Sequence, residues 1–180
     1  RTLRLRLFLG SPSRAFPKFN FEKWLLTAFK IDRLPKTHIV DRYLSTCTQL
    51  GVKNDGQGLD YFIPICKDNT LESVKQKVGN IPTSYISIAL GATHFTKRVP
   101  YQKLVELIQY LHPESIVLLG GSAEATIGEK LKVNFGERVF NAAGKLTLDQ
   151  SAIAIRESKF LIRPDTGMMH IAAALQKRII

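Results

Sequence analysis

The second half of the chain alternates short apolar runs with amphipathic segments. The runs have the length of strands and cover residues 85–90, 115–119, 139–141 and 159–162, with the start of a fifth at 178–180. Between them the spacing predicts helices over residues 101–111, 123–134, 147–157 and 166–175. Apolar runs of this kind are typical of strands covered on both faces, and the alternation favours right-handed crossovers. The pattern predicts an α/β fold with a doubly wound, Rossmann-like parallel sheet.

The first part of the chain does not show this regular alternation of strand-like and helix-like segments. Its pattern predicts helices over residues 21–29, 38–50 and 71–78, and favours a short strand over residues 61–65. Phe21 and Trp24 lie beside an apolar run, so we interpret them as core residues.

The composition and the net charge limit which classes of protein and which kinds of partner the chain fits. The chain has 180 residues, of which 44% are hydrophobic, and this excludes a disordered protein. The net charge is +11, and the first 42 residues hold 10 basic and 3 acidic side chains. Such a field attracts anionic partners, whether nucleic acid, membrane head groups or phosphorylated sugars; a solvated basic face is the alternative. The nearby aromatic residues fit no RNA-recognition module, so we expect no nucleic acid. Cys47 and Cys66 lack metal-site spacing and fit a reducing compartment, so we expect no chemical role for them.

In a doubly wound sheet, ligands bind at the carboxyl ends of the strands. After the first strand, residues 91–98 offer a glycine, the Thr93 hydroxyl and the Lys97 cation, which suit a phosphate. After the second strand, residues 120–124 offer two glycines and Glu124, whose carboxylate can accept hydrogen bonds from ribose hydroxyls. Neither loop has the spacing of a known phosphate or dinucleotide fingerprint, so a basic loop and a helix-start glutamate remain the alternatives.

The loop after the fourth strand carries a third group of candidates. Asp165 and Thr166 are favoured helix N-cap types, and Gly167 lets an anion approach the helix amides. His170 follows Thr166 by four residues, so both project from one side of the first turn. The alternative is a plain cap with a core histidine. Suitable groups after three strands together favour a ligand site.

These residues resemble a known family. The run PDTGMMHIAAAL, residues 164–175, is similar to the D-T-G-x-x-H-x-A-A-A-L signature of the family 9 glycosyltransferases, the lipopolysaccharide heptosyltransferases. The runs GATHFTKRVP, VLLGGSAEA and NAAGKLTLDQSA resemble that family's other loops, and LPKTHIVDRYL its inter-domain stretch. The resemblance implies a two-domain GT-B fold. Residues 1–80 would end the acceptor-binding amino-terminal domain and form the inter-domain segment, and residues 81–180 would form an incomplete ADP-sugar domain.

The resemblance also implies roles on the donor side of the site. Thr93 and Lys97 match positions that hold the diphosphate and sugar, and Glu124 matches the position that meets the ribose. Leu146 stands where the family's backbone meets adenine.

Further implied positions lie in the signature run. Asp165 matches the aspartate near the heptose, Thr166 and Gly167 the phosphate-binding helix start, and His170 the histidine beside it. Lys97 and Asp165 are thereby the candidate catalytic residues of this chain.

The implied activity is inverting, metal-independent transfer of heptose from ADP-heptose, with no further cofactor, to the anionic lipopolysaccharide inner core. The implied place is the cytoplasmic surface of the inner membrane. The family's general base lies upstream of Arg1, so we expect this stretch alone to bind nucleotide without catalysing transfer. The alternatives are a UDP-sugar transferase or sugar-nucleotide epimerase of the same fold, and a non-catalytic basic module that binds nucleic acid.

Overall fold

A parallel sheet organises the carboxyl-terminal part of the chain. The computed structural model describes residues 8, 10, 16–91, 98–164 and 167–180. Within these ranges four strands form, namely β1 (Ile86–Ala89), β2 (Ile116–Leu119), β3 (Val139–Asn141) and β4 (Leu161–Ile162). The order is β3-β2-β1-β4, and each pair is parallel. Ile88 of β1 pairs with Leu118 of β2 and with Ile162 of β4, which places β1 at the centre. The predicted α/β fold is confirmed.

Helices cover both faces of this sheet. They are α3 (Leu71–Val78), α4 (Tyr101–Tyr110), α5 (Ala125–Phe135), α6 (Leu148–Glu157) and α7 (Gly167–Ala174), with short 3-10 turns at Ser122–Glu124 and Gly136–Arg138. Alternate residues of each strand enter different cores, because strand side chains point to opposite faces. Ile86 and Ile88 pack with α4 and α5, whereas Ala89 packs with α3, α6 and α7. The result is the three-layer arrangement of a doubly wound sheet.

Helix α6 is the most deeply buried helix of the described chain. Its residues from Gln150 to Ile155 are all buried. Near the middle of the helix, the Ala154 carbonyl accepts hydrogen bonds from the Tyr85 hydroxyl at 2.8 Å and the Ser87 hydroxyl at 3.3 Å. Burial raises the pKa of the Tyr85 hydroxyl above its ordinary value, so this donor stays protonated. Both hydroxyls thereby have a hydrogen-bond partner inside the core.

The chain divides into two units, Arg1–Gln57 and Gly58–Ile180. The first unit contains α1 (Asn20–Phe29) and α2 (Ile39–Leu44), which continues into a 3-10 turn over Ser45–Leu50. Arg42 ties α2 to the segment before α1. Its guanidinium carbon lies 4.8 Å from the Phe16 ring centroid and 4.5 Å from that of Phe19. These cation–π contacts organise the unit, since none of its described helices has a buried residue.

Two expectations for the amino-terminal part are wrong. Phe21 and Trp24 are 63% and 52% exposed and are not core residues, because an apolar stripe marks a helix face without ensuring that anything covers it. Residues 61–65 form no strand: Ile63 packs on the core while Ile65 is exposed, so their alternation reflects one-sided packing without a pairing strand. The assignment of residues 1–80 to an acceptor domain and linker stays a prediction.

None of the helices in the described ranges is long and apolar enough to cross a bilayer.

Candidate functional site

The strand order creates a crevice between β1 and β4. From β1 the chain moves through β2 to the edge strand β3, and then crosses back over α6 to β4 on the other side of β1. Helix α4, which follows β1, and helix α7, which follows β4, pack on opposite faces of the sheet. Doubly wound sheets bind ligands at such a reversal. Of the predicted residue groups, this topology brings the described residues that directly adjoin the strands, Gly91 after β1 and Arg163 and Pro164 after β4, to one edge of the sheet.

Glu124 lies at this edge, between the ends of β1 and β2. Its Oε2 accepts a hydrogen bond from the Gly121 amide at 3.0 Å, and the side chain is half-buried. A Cβ on Gly91, the residue after β1, would lie 2.8 Å from the Glu124 Cδ. Only glycine at position 91 leaves the carboxylate in this position. The structure thus places one predicted residue, Glu124, at the mouth of the predicted site.

The turn after β2 is packed tightly against the loop after β3. The Gly144 amide donates to the Gly120 carbonyl at 3.0 Å. A Cβ on Gly144 would lie 3.1 Å from the Ser122 Cα, and Gly144 has a φ of +75°. Both loops are held in place by backbone contacts, so the groups they carry are preorganised.

An open groove of about 400 Å³ lies beside these two loops. It is lined by Ser122, Ala125, Thr126, Glu129, Asn141, Ala143, Gly144 and Lys145. The Asn141 Nδ2 donates to the Ala125 carbonyl and, at 3.0 Å, to the Glu129 carboxylate. That hydrogen bond lowers the pKa of Glu129, which keeps a negative charge on this wall at neutral pH. The groove therefore carries both a carboxylate, from Glu129, and a cation, from Lys145.

Leu146 follows this groove in the loop that leads to α6. Its side chain is half-buried and packs on the core. The next residue, Thr147, caps α6: its hydroxyl accepts from the Gln150 amide, and the Gln150 Oε1 accepts from the Thr147 amide at 3.1 Å. Gln150 is fully buried and also binds the Lys77 amine and the Asp68 carbonyl. This network fixes the loop on which Leu146 stands.

The first described turn of α7 contains Gly167 and His170. A Cβ on Gly167 would meet no atom within 4 Å, so there is open space beside this helix start. His170 is exposed, which makes the alternative of a core histidine wrong. Helix α7 begins at the carboxyl edge of the sheet, as predicted from the pattern after β4.

Four predicted site residues fall outside the described residues. They are Thr93, Lys97, Asp165 and Thr166. Their roles stay predictions, as do those of Glu124, Leu146, Gly167 and His170.

Sequence reasoning missed two cations at the same edge. Arg163 directly follows β4, and Lys145 stands in the loop after β3, on the wall of the groove. The Arg163 Nη1 donates to the Pro164 carbonyl, while its buried Nε has no hydrogen-bond partner in the described chain. The usable signal was their position, since Arg163 directly follows β4 and Lys145 stands four residues after the end of β3.

Comparison with known proteins gives a consistent result. The chain matches the model of Glycosyltransferase family 9 (heptosyltransferase) over residues 12–180. It is 25% identical over 193 aligned residues to Lipopolysaccharide heptosyltransferase 2 of Escherichia coli (strain K12), covering 96% of this chain and 53% of that protein. The chain thus spans about half the length of this curated relative.

Solved structures agree on the fold. ADP-heptose lps heptosyltransferase II of E. coli superposes with a TM-score of 0.65 at 24% identity, over 97% of this chain and 57% of that one. E. coli heptosyltransferase WaaC, solved with ADP, gives a TM-score of 0.60 at 22% identity, over 83% and 45%. These neighbours are GT-B heptosyltransferases, in agreement with the parallel sheet. The chain belongs to glycosyltransferase family 9.

Proposed function

We propose that the protein transfers a heptose from ADP-heptose to the lipopolysaccharide inner core, with inversion and without a metal. The observation that carries the proposal is the Glu124 carboxylate between the ends of β1 and β2, beside the crevice at which the strand order reverses. Family membership and the relative's printed activity on lipopolysaccharide support it.

The donor nucleotide is proposed to lie across the carboxyl ends of β1, β2 and β3. Glu124 would accept hydrogen bonds from the ribose hydroxyls, and the backbone at Leu146 would meet the adenine. The groove beside Gly144 supports this direction, because its polar lining, with Ser122 and Thr126, can form hydrogen bonds with a nucleoside. The nearby solved relative that carries ADP is consistent with an adenine nucleotide.

The diphosphate is proposed to lie at the crevice between β1 and β4. Departure of ADP leaves negative charge on the diphosphate, and preorganised donors stabilise that charge most when they are already in place. Thr93 and Lys97 would supply a hydroxyl and an ammonium. Thr166 and Gly167 would supply amides at the start of α7, whose dipole favours an anion.

Asp165 and His170 are proposed to complete the site. Asp165 would lie near the heptose, and His170 would stand beside the phosphate-binding turn; its exposed position on α7 leaves it accessible to a ligand. We place the enzyme on the cytoplasmic surface of the inner membrane, where an anionic lipid-linked acceptor would meet the basic amino-terminal part.

The test is a thermal-shift titration of the complete protein with ADP, UDP and NAD. A ligand that binds only the folded state stabilises it by about 2.7 kcal/mol at a hundredfold excess over Kd, so the shifts rank the affinities. We expect the largest shift with ADP and its loss in Lys97→Ala. A larger shift with UDP would point to a UDP-sugar enzyme, and no response to any nucleotide would contradict the proposed site.

A further inference from the structure

The buried side chain of Asn141 connects two parts of the proposed nucleoside site. Asn141 is the last residue of β3 and is 2% exposed. Its Oδ1 accepts a hydrogen bond from the Ala143 amide at 3.1 Å, and its Nδ2 donates to the Ala125 carbonyl at 3.2 Å. Ala143 belongs to the loop after β3, and Ala125 is the first residue of α5. One side chain therefore links the loop that leads to Leu146 with the start of the helix that follows Glu124.

The sheet fixes the backbone from which this side chain extends. Asn141 pairs with Leu118 of β2, and the next amide, that of Ala142, donates to the Leu118 carbonyl at 2.9 Å. The second hydrogen of the Asn141 Nδ2 is donated to the Glu129 carboxylate at 3.0 Å. Since both hydrogens are donated and Oδ1 accepts, the partners determine the orientation of the amide group. A group that stands on a strand and has bonded partners is held more precisely than one on a loop.

The loop after β3 depends on this side chain at Ala143. The neighbouring amide, that of Gly144, donates to a backbone carbonyl, that of Gly120, at 3.0 Å. Ala143 is buried, and its amide donates to the Asn141 side chain instead. A buried amide without an acceptor is unfavourable, so the loop would have to move if the Asn141 amide were removed. The backbone bond of Gly144 would remain, and the loop would shift without detaching.

The position requires an amide of this size. An aspartate at 141 would have the same shape and would still accept from the Ala143 amide, but as a carboxylate it could not donate. It would also face the Ala125 carbonyl and the Glu129 carboxylate. Space for the amide comes from Gly128 of α5, where a Cβ would lie 2.2 Å from the Asn141 Oδ1. Helix α5 thus contains a residue that is unfavourable inside a helix at the place where the amide fits.

The base and the ribose of a nucleoside are covalently joined, so the groups that bind them must stand at a fixed separation. In the proposed site, the backbone at Leu146 meets the base and Glu124 meets the ribose. We propose that Asn141 is a positioning residue that sets this separation, by holding the loop after β3 against the start of α5. This rests on the proposed nucleotide site and adds to it a buried residue that does not itself touch the ligand.

The first test needs no nucleotide. Hydrogen exchange is measured by NMR on the complete protein, as wild type and as Asn141→Ala. We expect the Ala143 and Gly144 amides to exchange about tenfold faster or more in the variant, because the loop opens locally once its side-chain contact is lost. The buried amides of α6, from Ile153 to Ile155, should keep their wild-type rates.

The second test is the dissociation constant of ADP, measured by calorimetry well below every unfolding midpoint. Asn141→Ala and Asn141→Asp should each raise it about tenfold or more, since displacing a binding group by about 1 Å is costly. The matched control is Ser158→Ala. Ser158 lies between α6 and β4, at the opposite edge of the sheet, and its buried hydroxyl donates to the Ile155 carbonyl at 2.8 Å. This control should lower the free energy of unfolding and leave the ADP affinity unchanged, which separates positioning from a purely structural role.

Three results would overturn the proposal and leave the proposed function intact. Wild-type exchange rates at Ala143 and Gly144 in Asn141→Ala would show that the loop is held without the amide. Faster exchange with wild-type ADP affinity would show that the position of the loop does not matter for the nucleotide. An equal loss of ADP affinity in Ser158→Ala would make the effect a general result of lower stability. If the wild-type protein binds no ADP, the proposed function fails and the role of Asn141 fails with it.

Discussion

Gly128 of α5 faces the buried side chain of Asn141. A Cβ at position 128 would lie 2.2 Å from the Asn141 Oδ1. That amide is held in place by the Ala125 carbonyl, the Glu129 carboxylate and the Ala143 amide. Gly128→Ala must displace it, and although alanine is the better helix former, we expect a net loss of about 1–3 kcal/mol.

Urea denaturation measures this loss in the free energy of unfolding. Gly167→Ala is the matched control, since a Cβ there meets no atom within 4 Å, and its unfolding free energy should stay close to that of the wild type. Equal stability of the two variants would show that the Asn141 side chain relaxes freely.

Gly91 allows a prediction that separates binding from stability. Its added Cβ would meet only the far end of the Glu124 side chain, which can rotate away. Gly91→Ala should therefore unfold near the wild-type midpoint while its ADP affinity falls. Glu124→Gln should weaken ADP by about 10- to 100-fold, the loss expected for charge-assisted hydrogen bonds to ribose.

Isothermal titration calorimetry with ADP measures both variants. The control is Glu106→Gln, an exposed helix glutamate paired with Lys103. Wild-type affinity in Glu124→Gln would remove Glu124 from the nucleotide site.

At the residue scale, the sequence predicts the position of a residue along the fold better than its environment. Glu124 was selected because it stands in the turn after a buried strand, and the structure places it at the sheet edge, while its role stays a prediction. The burial of Asn141 and its hydrogen bonds to three other residues were not predicted, because in the sequence a polar residue at a strand end resembles a solvent-facing one. Trp24 was misplaced because local pattern contains no information on what covers a helix face.

At the element scale, Tyr61 anchors the segment before α3 to the start of α6. Its hydroxyl donates to the Asp149 carboxylate at 2.8 Å. Burial, followed by this hydrogen bond and the carboxylate charge, raises the pKa of Tyr61 from 10.0 to about 12. As the pH rises, the unfolded chain loses the Tyr61 proton before the folded chain does. The contribution of this group to the free energy of unfolding is therefore fully present below pH 10 and is lost as the pH rises to about 12.

Tyr61→Phe should make the free energy of unfolding fall less steeply over that interval. The measurement is urea denaturation at several pH values between 9 and 12, with Tyr43→Phe, an exposed tyrosine, as control. Identical slopes for wild type and Tyr61→Phe would mean that the hydrogen bond to Asp149 does not persist in solution.

The elements themselves were largely predictable. Strands β1, β2 and β3 match their apolar runs to within one or two residues, because each is buried on both faces and bounded by turn residues. The predicted fifth strand reduces to a bridge between Leu161 and Ile179. The strand order was not readable from local pattern, because it depends on which side of β1 the crossover of α6 returns.

At the scale of the whole molecule, residues 51–60 are exposed throughout and contain the boundary between the two units. Exposed, polar loops are preferred sites of proteolysis. Brief trypsin treatment should cut after Lys53 and leave a product starting at Asn54 that resists further cleavage. Mass spectrometry identifies the cut.

The same product tests where the nucleotide binds. All proposed donor contacts follow residue 57, so ADP should raise the unfolding temperature of the Asn54 product as it does that of the uncut protein. Loss of the ADP response would show that the first unit contributes to the site.

The shared Ala154 carbonyl has a mechanical consequence. The hydroxyls of Tyr85, directly before β1, and of Ser87, in β1, both donate to one carbonyl of α6, so the helix cannot slide along the strand without leaving both donors unsatisfied in the core. These hydrogen bonds hold β1 and α6 in a fixed position relative to each other. We therefore expect nucleotide binding to leave the sheet and α6 undisturbed.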